Sequence, residues 1–190
     1  MSACDPRLAE PLKPSFTAAG EDAPDAPKIE RLIDSLHLLK HPEGGWFVET
    51  DRDPLRIPNP FLAKQQHDAV EYTAQPAGDD ATRSAMTTIF YLLTPNSPKG
   101  RFHRNKGRTV HTLHKGRGRY VLIRTDEVKP GEQARIETFV VGHNVEKGER
   151  LQWIVEGDIY KASYLLPDDE DSGESESGLL ISEVSYHVED

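Results

Sequence analysis

Cysteine is all but missing from this chain: one residue, Cys4, lies near the start of 190. A single thiol closes no internal disulfide and builds no Cys-based metal site, so the fold must rest on packing. Long apolar runs are lacking too. No segment approaches the roughly 20 residues that span a bilayer, and the N-terminal segment lacks the basic n-region and apolar h-region of a secretory signal. These absences lead us to expect a cytoplasmic protein with no membrane partner. Cations are in the minority, 23 Lys and Arg against 32 Asp and Glu for a net −9. That balance argues against a general nucleic-acid binder, because duplex binding is dominated by phosphate neutralisation. No GxGxxG phosphate loop is present, and no Ser-His-Asp or Cys-His nucleophile arrangement has support. What is left is a length that suits one hydrophobic core and is short for two.

The chain divides unevenly. Residues 1–27 hold five prolines and no periodicity, which predicts a disordered tail ahead of a single domain over 28–190. Asp22 or Asp25 is positioned to cap the element that follows. From Lys28, the residues Ile29, Leu32, Ile33, Leu36 and Leu39 line one face of a helix that ends before His41-Pro42, and we expect it to pack across the core entrance. Gly44-Gly45 marks a turn or bulge before a strand at Trp46–Thr50, with Trp46 and Val48 on one face and Phe47 and Glu49 on the other. Residues 53–83 read as a long insertion loop with four prolines. Seven short runs follow, bounded by Gly, Pro, Asn or Asp: Met86–Leu93, Arg108–Lys115, Arg119–Thr125, Ile136–Val141, Leu151–Val155, Tyr160–Leu166 and Leu179–Val188. Strands at that spacing behind one helix predict a mostly β, antiparallel sandwich or barrel of jelly-roll type. The acidic run Asp168–Gly178 reads as a solvated hairpin loop.

Against the acidic background, one segment stands out. Pro98–Arg119 holds eight Lys or Arg and three of the eight histidines without any Asp or Glu, a composition suited to holding an anion. Alternation along its second strand puts Thr109, His111 and Leu113 on one face and Val110, Thr112 and His114 on the other, so His111 and His114 cannot share a metal without a bulge. A hairpin at Asn105-Lys106-Gly107 would bring His103 near Thr109 or His111. Two imidazoles suit a divalent transition metal, yet a stable site wants a third protein ligand, and none stands at an obvious spacing. Neighbouring arginines would favour a neutral His103, the state a general base needs. Arg101 and Arg104 are read as turned away from it.

Several stretches, LIDSLHLLKHPEGGWFVET, TTIFYLLTPNSPKGRFHR, YKASYLLPDDE and GLLISEV, together resemble a small family of the cupin superfamily, of unknown function, whose members carry HPEGG…ET and FHR motifs. The resemblance covers roughly residues 32 to 185 and implies a double-stranded β-helix, the cupin jelly roll, with one N-terminal helix, commonly as a homodimer. More distantly the chain resembles sugar-nucleotide 3,5-epimerases, which use a barrel histidine as base without a metal. Carried over onto this sequence, His103 matches the FHR histidine and Gly116 the glycine closing the first cupin motif. The departures are informative: Arg101 and Thr109 stand where that motif's first His and its Glu would be, the second motif offers no histidine around VEGDIYKASY, and His111 stands where the relatives have Trp. SYHVED also replaces the family's usual ending. The resemblance therefore implies no metal cofactor.

These readings converge on a barrel pocket for a small polar or anionic metabolite, with isomerase or epimerase chemistry and His103 as the base. His111, Glu49, Tyr91 and Thr109 are candidate lining residues, and Arg101 and Arg119 candidate anion contacts. A binding module without chemistry remains open, as does a metal-dependent oxygenase using His103, His111 and a ligand from elsewhere.

Overall fold

Alternation with period two along β-branched and aromatic runs such as MTTIFYLL builds most of the molecule. The computed structural model describes residues 12–18, 24–61, 81–129, 131–169 and 173–186. Among them lie one α-helix, α1 (Pro27–Leu36), two short 3-10 turns (Thr125–Glu127 and Val145–Lys147), and twelve strands: β1 (Leu39–Lys40), β2 (Trp46–Arg52), β3 (Arg56–Pro58), β4 (Thr82–Ser84), β5 (Met86–Leu93), β6 (Lys99–His103), β7 (Thr109–Lys115), β8 (Gly118–Arg124), β9 (Arg135–Val141), β10 (Gln152–Val155), β11 (Tyr160–Leu165) and β12 (Leu179–Tyr186). A six-stranded sheet runs β1-β2-β5-β12-β7-β10, a four-stranded sheet β6-β11-β8-β9, and β3 pairs with β4. Every strand pairing is antiparallel. The expected jelly-roll class is what the two facing sheets form.

The main core fills the space between the sheets, with Leu93, Leu113, Leu179 and Ile181 from the larger and Tyr120, Leu122, Phe139, Val141 and Leu165 from the smaller. The opposite parity of β5 and β12, Leu92 and Leu180, faces α1, whose Ile29 and Ile33 are buried there. The helix thus lies on the outer face of the six-stranded sheet, not across the core entrance. Each of its two buried isoleucines contributes about 1.5–3 kcal/mol. It also ends earlier than the periodicity predicts. His37 takes a left-handed conformation and its N–H bonds back to Asp34, an αL stop, and Leu39 becomes an exposed residue of β1.

Asp25 does not cap the helix. Its carboxylate accepts from the Asn96 backbone N–H at 3.1 Å, while its own N–H donates to Glu30 at 2.8 Å. Asp22 lies outside the described residues. Within the expected tail, Phe16 packs against the main core, while its described neighbours in 12–18 are exposed. At the base of the expected 53–83 insertion, β3 and β4 form a ribbon.

Two details of chain path place the site. First, β6 and β7 do not form the expected hairpin: β6 pairs with β11 in one sheet and β7 with β12 and β10 in the other. Second, β6 carries a bulge. Lys161 faces His103 and Ser163 faces Gly100, so that Arg101 and Phe102 together oppose Ala162. A bulge resets alternation; it turns Gly100 and His103 inward and leaves Arg101 exposed.

Candidate functional site

A cavity of about 230 Å³ opens between the sheets, lined by His41, Pro42, Glu43, Thr87, Ile89, Tyr91, His103, Arg104, Asn105, Tyr120, Lys161, Ala162, Ser163, Glu183 and Ser185. One wall comes from the turn before β2. Gly44 and Gly45 have φ of 98° and 74°, values that favour glycine, and a Cβ at Gly44 would lie 2.1 Å from the Lys99 carbonyl oxygen. That close approach is locked by Arg101 N–H donating to the Glu43 carbonyl at 2.8 Å and by the Tyr91 hydroxyl donating to the Gly44 carbonyl at 2.8 Å. The turn thereby sets His41 and Glu43 over the cavity.

His103 projects from the other side of this seam. Its Nδ1 lies 2.9 Å from the Arg101 carbonyl, which can only accept, so Nδ1 carries a proton and a neutral ring presents its lone pair at Nε2. Burial, followed by the Lys161 ammonium, lowers its pKa to about 4. Glu43 lies 3.1 Å from the same Nδ1, with burial holding Glu43 itself towards its neutral form; the Arg101 carbonyl and then Glu183 pull the His103 pKa upward without outweighing the loss of solvent. The expectation of a neutral His103 therefore agrees with the structure, but the cause is burial and a lysine rather than flanking arginines. His41 has the complementary arrangement. Its Nδ1 accepts from the Glu43 N–H at 3.1 Å, which leaves the proton on Nε2, and burial lowers its pKa as well.

Beneath these rings sits a buried ionic group. Lys161 Nζ, reaching in from β11, lies 2.9 Å from His111 Nε2 and 2.8 Å from Glu183 Oε2. His111 and Glu183 are cross-strand partners on β7 and β12, 3.3 Å apart. Burial alone would raise the Glu183 pKa, but Lys161 and His111 outweigh it and hold the carboxyl well below its usual value. Burial and then Lys161 lower His111. The His111 ring stacks on Trp153 with centroids 5.1 Å apart, and Tyr120 meets Trp153 edge-on at 4.6 Å. Burial, reinforced by Glu183, keeps the Tyr91 and Tyr120 phenols protonated.

Of the residues expected from the sequence, His103 and Tyr91 line the cavity and His111 lies fully buried behind Lys161. Glu49 does not line the cavity; it is exposed and paired with Arg52 at 2.9 Å. Thr109 is buried but accepts from Asn105 at 2.9 Å. Arg119 reaches Thr138 at 3.4 Å, and neither it nor Arg101 lines the cavity. Arg104, expected to face away, does line it and stacks over Tyr160 at 5.2 Å, because it follows the last residue of β6 where alternation no longer holds. His114 is on the outer face against Phe90, as alternation requires. The sequence reading missed His41, Glu43, Lys161 and Glu183. Parity could have found two of them: Lys161-Ser163-Leu165 and Leu179-Ile181-Glu183 each put a charged residue on an otherwise inward face. The missing carboxylate partners of His103 and His111 are Glu43 and Glu183, far from them in sequence. Among the described residues, no group of three or more His, Cys, Asp or Glu is placed to hold a metal ion, and no helix is long and apolar enough to cross a membrane.

Comparison with known proteins follows the same lines. A family model described as "Cupin superfamily (DUF985)" matches residues 30–186. An uncharacterized protein of Saccharomyces cerevisiae, YML079W, is 38% identical over 164 residues, covering 85% of this chain and 71% of its own. A hypothetical protein from Leishmania major superposes with a TM-score of 0.63 at 26% identity, over 85% of this chain and 82% of that one. A Shewanella oneidensis protein gives 0.57 at 18% identity, over 88% and 81%.

Proposed function

The chain belongs to the DUF985 family of the cupin superfamily, and from that premise we propose that its barrel pocket takes a small polar or anionic metabolite and moves a proton at His103 without a metal. The observation that carries this reading is the fixed tautomer of His103: with Nδ1–H held by the Arg101 carbonyl at 2.9 Å, a neutral ring has Nε2 as a base in a cavity that Lys161 also lines. His41, with its proton on Nε2, supplies a hydrogen-bond donor in the same cavity. A substrate with a C–H bond next to a carbonyl suits this set. The C–H proton passes to His103 Nε2, the electron pair moves onto the carbonyl oxygen, and the donors around the cavity stabilise the developing charge. Return of the proton to a different carbon or face completes an isomerisation or epimerisation. At about 230 Å³ the cavity is smaller than the roughly 300–1,000 Å³ of sites for drug-sized ligands, so the reacting part of the substrate is compact.

The test is proton exchange. Keto acids and sugar nucleotides incubated in deuterated buffer should incorporate deuterium at the carbon next to the carbonyl, and His103→Gln should abolish incorporation while leaving binding within about threefold. If no substrate of either class exchanges, the enzyme reading falls and a binding module without chemistry replaces it. The commitment of the Tyr91 hydroxyl to Gly44 favours that second reading. We further place the protein in the cytoplasm as a homodimer; sedimentation at a monomer mass would remove the dimer.

A further inference from the structure

Lys161 is the least expected group in the cavity. It is 2% exposed, comes from the four-stranded sheet, and crosses the barrel to meet an imidazole and a carboxylate of the six-stranded sheet. Two donors bound next to each other on a metal at about 2.1 Å lie about 3 Å apart, and His111 Nε2 and Glu183 Oε2 are separated by 3.3 Å. These two residues could therefore serve as neighbouring ligands. The place from which both would be reached is taken by the ammonium nitrogen, at 2.9 and 2.8 Å. A metal does not fit while that nitrogen is there.

We infer that Lys161 is a resident cation occupying the position a divalent metal would take between His111 and Glu183, and that its remaining N–H is the pocket's contact for an anionic ligand oxygen. This rests on the pocket reading given above and narrows its ligand to a compact oxyanion. An ammonium has three donors. One meets His111 Nε2, whose ring then carries its own proton on Nδ1 when neutral. The second meets Glu183, and the third is left on a group that lines the cavity. Cross-linking the two sheets in this way also fixes the ammonium against movement, as an oxyanion contact requires.

Three arms test the assignment. In the first, wild-type protein titrated with Co²⁺ should show no ligand-field absorbance and no thermal shift; one tightly bound equivalent overturns the inference. In the second, Lys161→His should gain one equivalent of Co²⁺ with a visible spectrum and a raised Tm, because a shorter imidazole plus a metal bond of about 2.1 Å spans about what the lysine stem spans. A folded variant that binds none overturns the metal-position half. In the third, titration calorimetry of the wild type reports binding of pyruvate against methyl pyruvate, which differs mainly by the lost charge. A charge-assisted contact predicts at least about tenfold tighter binding of pyruvate, and no preference overturns the oxyanion half. The first and third arms use wild-type protein, so they hold even where the variant fails to fold. Loss of proton exchange as a property of His103 would remove catalysis alone and leave all three arms standing.

Discussion

The cations of the basic segment Pro98–Arg119 and those of the barrel interior handle charge in opposite ways. The segment carries eight cations, and only Arg104 among them lines the cavity. Lys106 and Arg108 face Asp158 and Glu156 at 4.0 and 3.4 Å, Arg117 pairs with Glu149, and Lys99, Arg101 and Lys115 are exposed. The interior holds one lysine from a different part of the chain, and that lysine influences His41, Glu43, His103, His111 and Glu183 together. Burial, not number, decides which charges matter, since solvent screens the exposed ones and the interior does not.

The largest expected effect follows at Lys161. Lys161→Met leaves Glu183 charged and uncompensated in the interior, and should cost about 3–5 kcal/mol in urea unfolding. Adding Glu183→Leu removes the orphaned charge, so the double variant should regain much of that loss. A single-variant loss below about 1 kcal/mol would show that water reaches the group and that interior and surface do not differ as argued.

Acid should expose the same contrast. Three imidazoles, His41 and His103 in the cavity and His111 buried behind it, have pKa values lowered by burial, so the folded state resists protons that the unfolded chain accepts. For His103 the contribution is complete above the free value of 6.5 and is lost as pH falls towards about 4, amounting to at most about 3 kcal/mol. Glu183, held low, gives up its contribution at still lower pH. Stability measured by chemical denaturation should fall across this window, and His103→Gln should flatten the fall. An unchanged slope in the variant would mean the ring is solvated enough to titrate freely.

How much of this was legible in the chain depends on the range of the contacts. The strand at Met86–Leu93 coincides with β5 because its alternation is a local property, and the inward set Thr109, His111 and Leu113 followed from the same rule. Sheet partnership was not local. The turn at Asn105–Gly107 looked like a hairpin, yet His103 pairs with Lys161, 58 positions further along. Arg104, read as facing away, was misplaced by the strand end, and the bulge that keeps Arg101 outside the cavity has no signal in the residues themselves either. Glu43 and Glu183 are brought to the histidines only by the closing of the barrel. Local composition drew attention to the basic segment, while the group that organises the cavity is a lone lysine in an ordinary strand.

An intermediate case sharpens the comparison. Arg117 belongs to the basic segment but is only 13% exposed in its side chain, and its Nε donates to Glu149 at 2.6 Å. Glu149 also accepts from the Asn144 N–H at 2.9 Å. Arg117→Ala should cost about 1.5–3 kcal/mol by thermal or urea unfolding, the range for hydrogen bonds to charged groups, and it should leave pyruvate binding unchanged because the pair is outside the ligand cavity. A change in binding would mean that the pair is coupled to the cavity.

Arg108 gives the smallest effect and the strictest control. Its guanidinium lies 3.4 Å from Glu156, but the two side chains are 53% and 55% exposed, so water screens the attraction and ordering two long side chains opposes it. Arg108→Ala should therefore change stability by less than about 1 kcal/mol, and raising the salt concentration should shrink even that difference. The same increase in salt should barely alter the loss at Lys161, where solvent ions do not enter. If the two variants responded to salt alike, depth of burial would no longer account for why one cation from β11 outweighs eight from the basic segment.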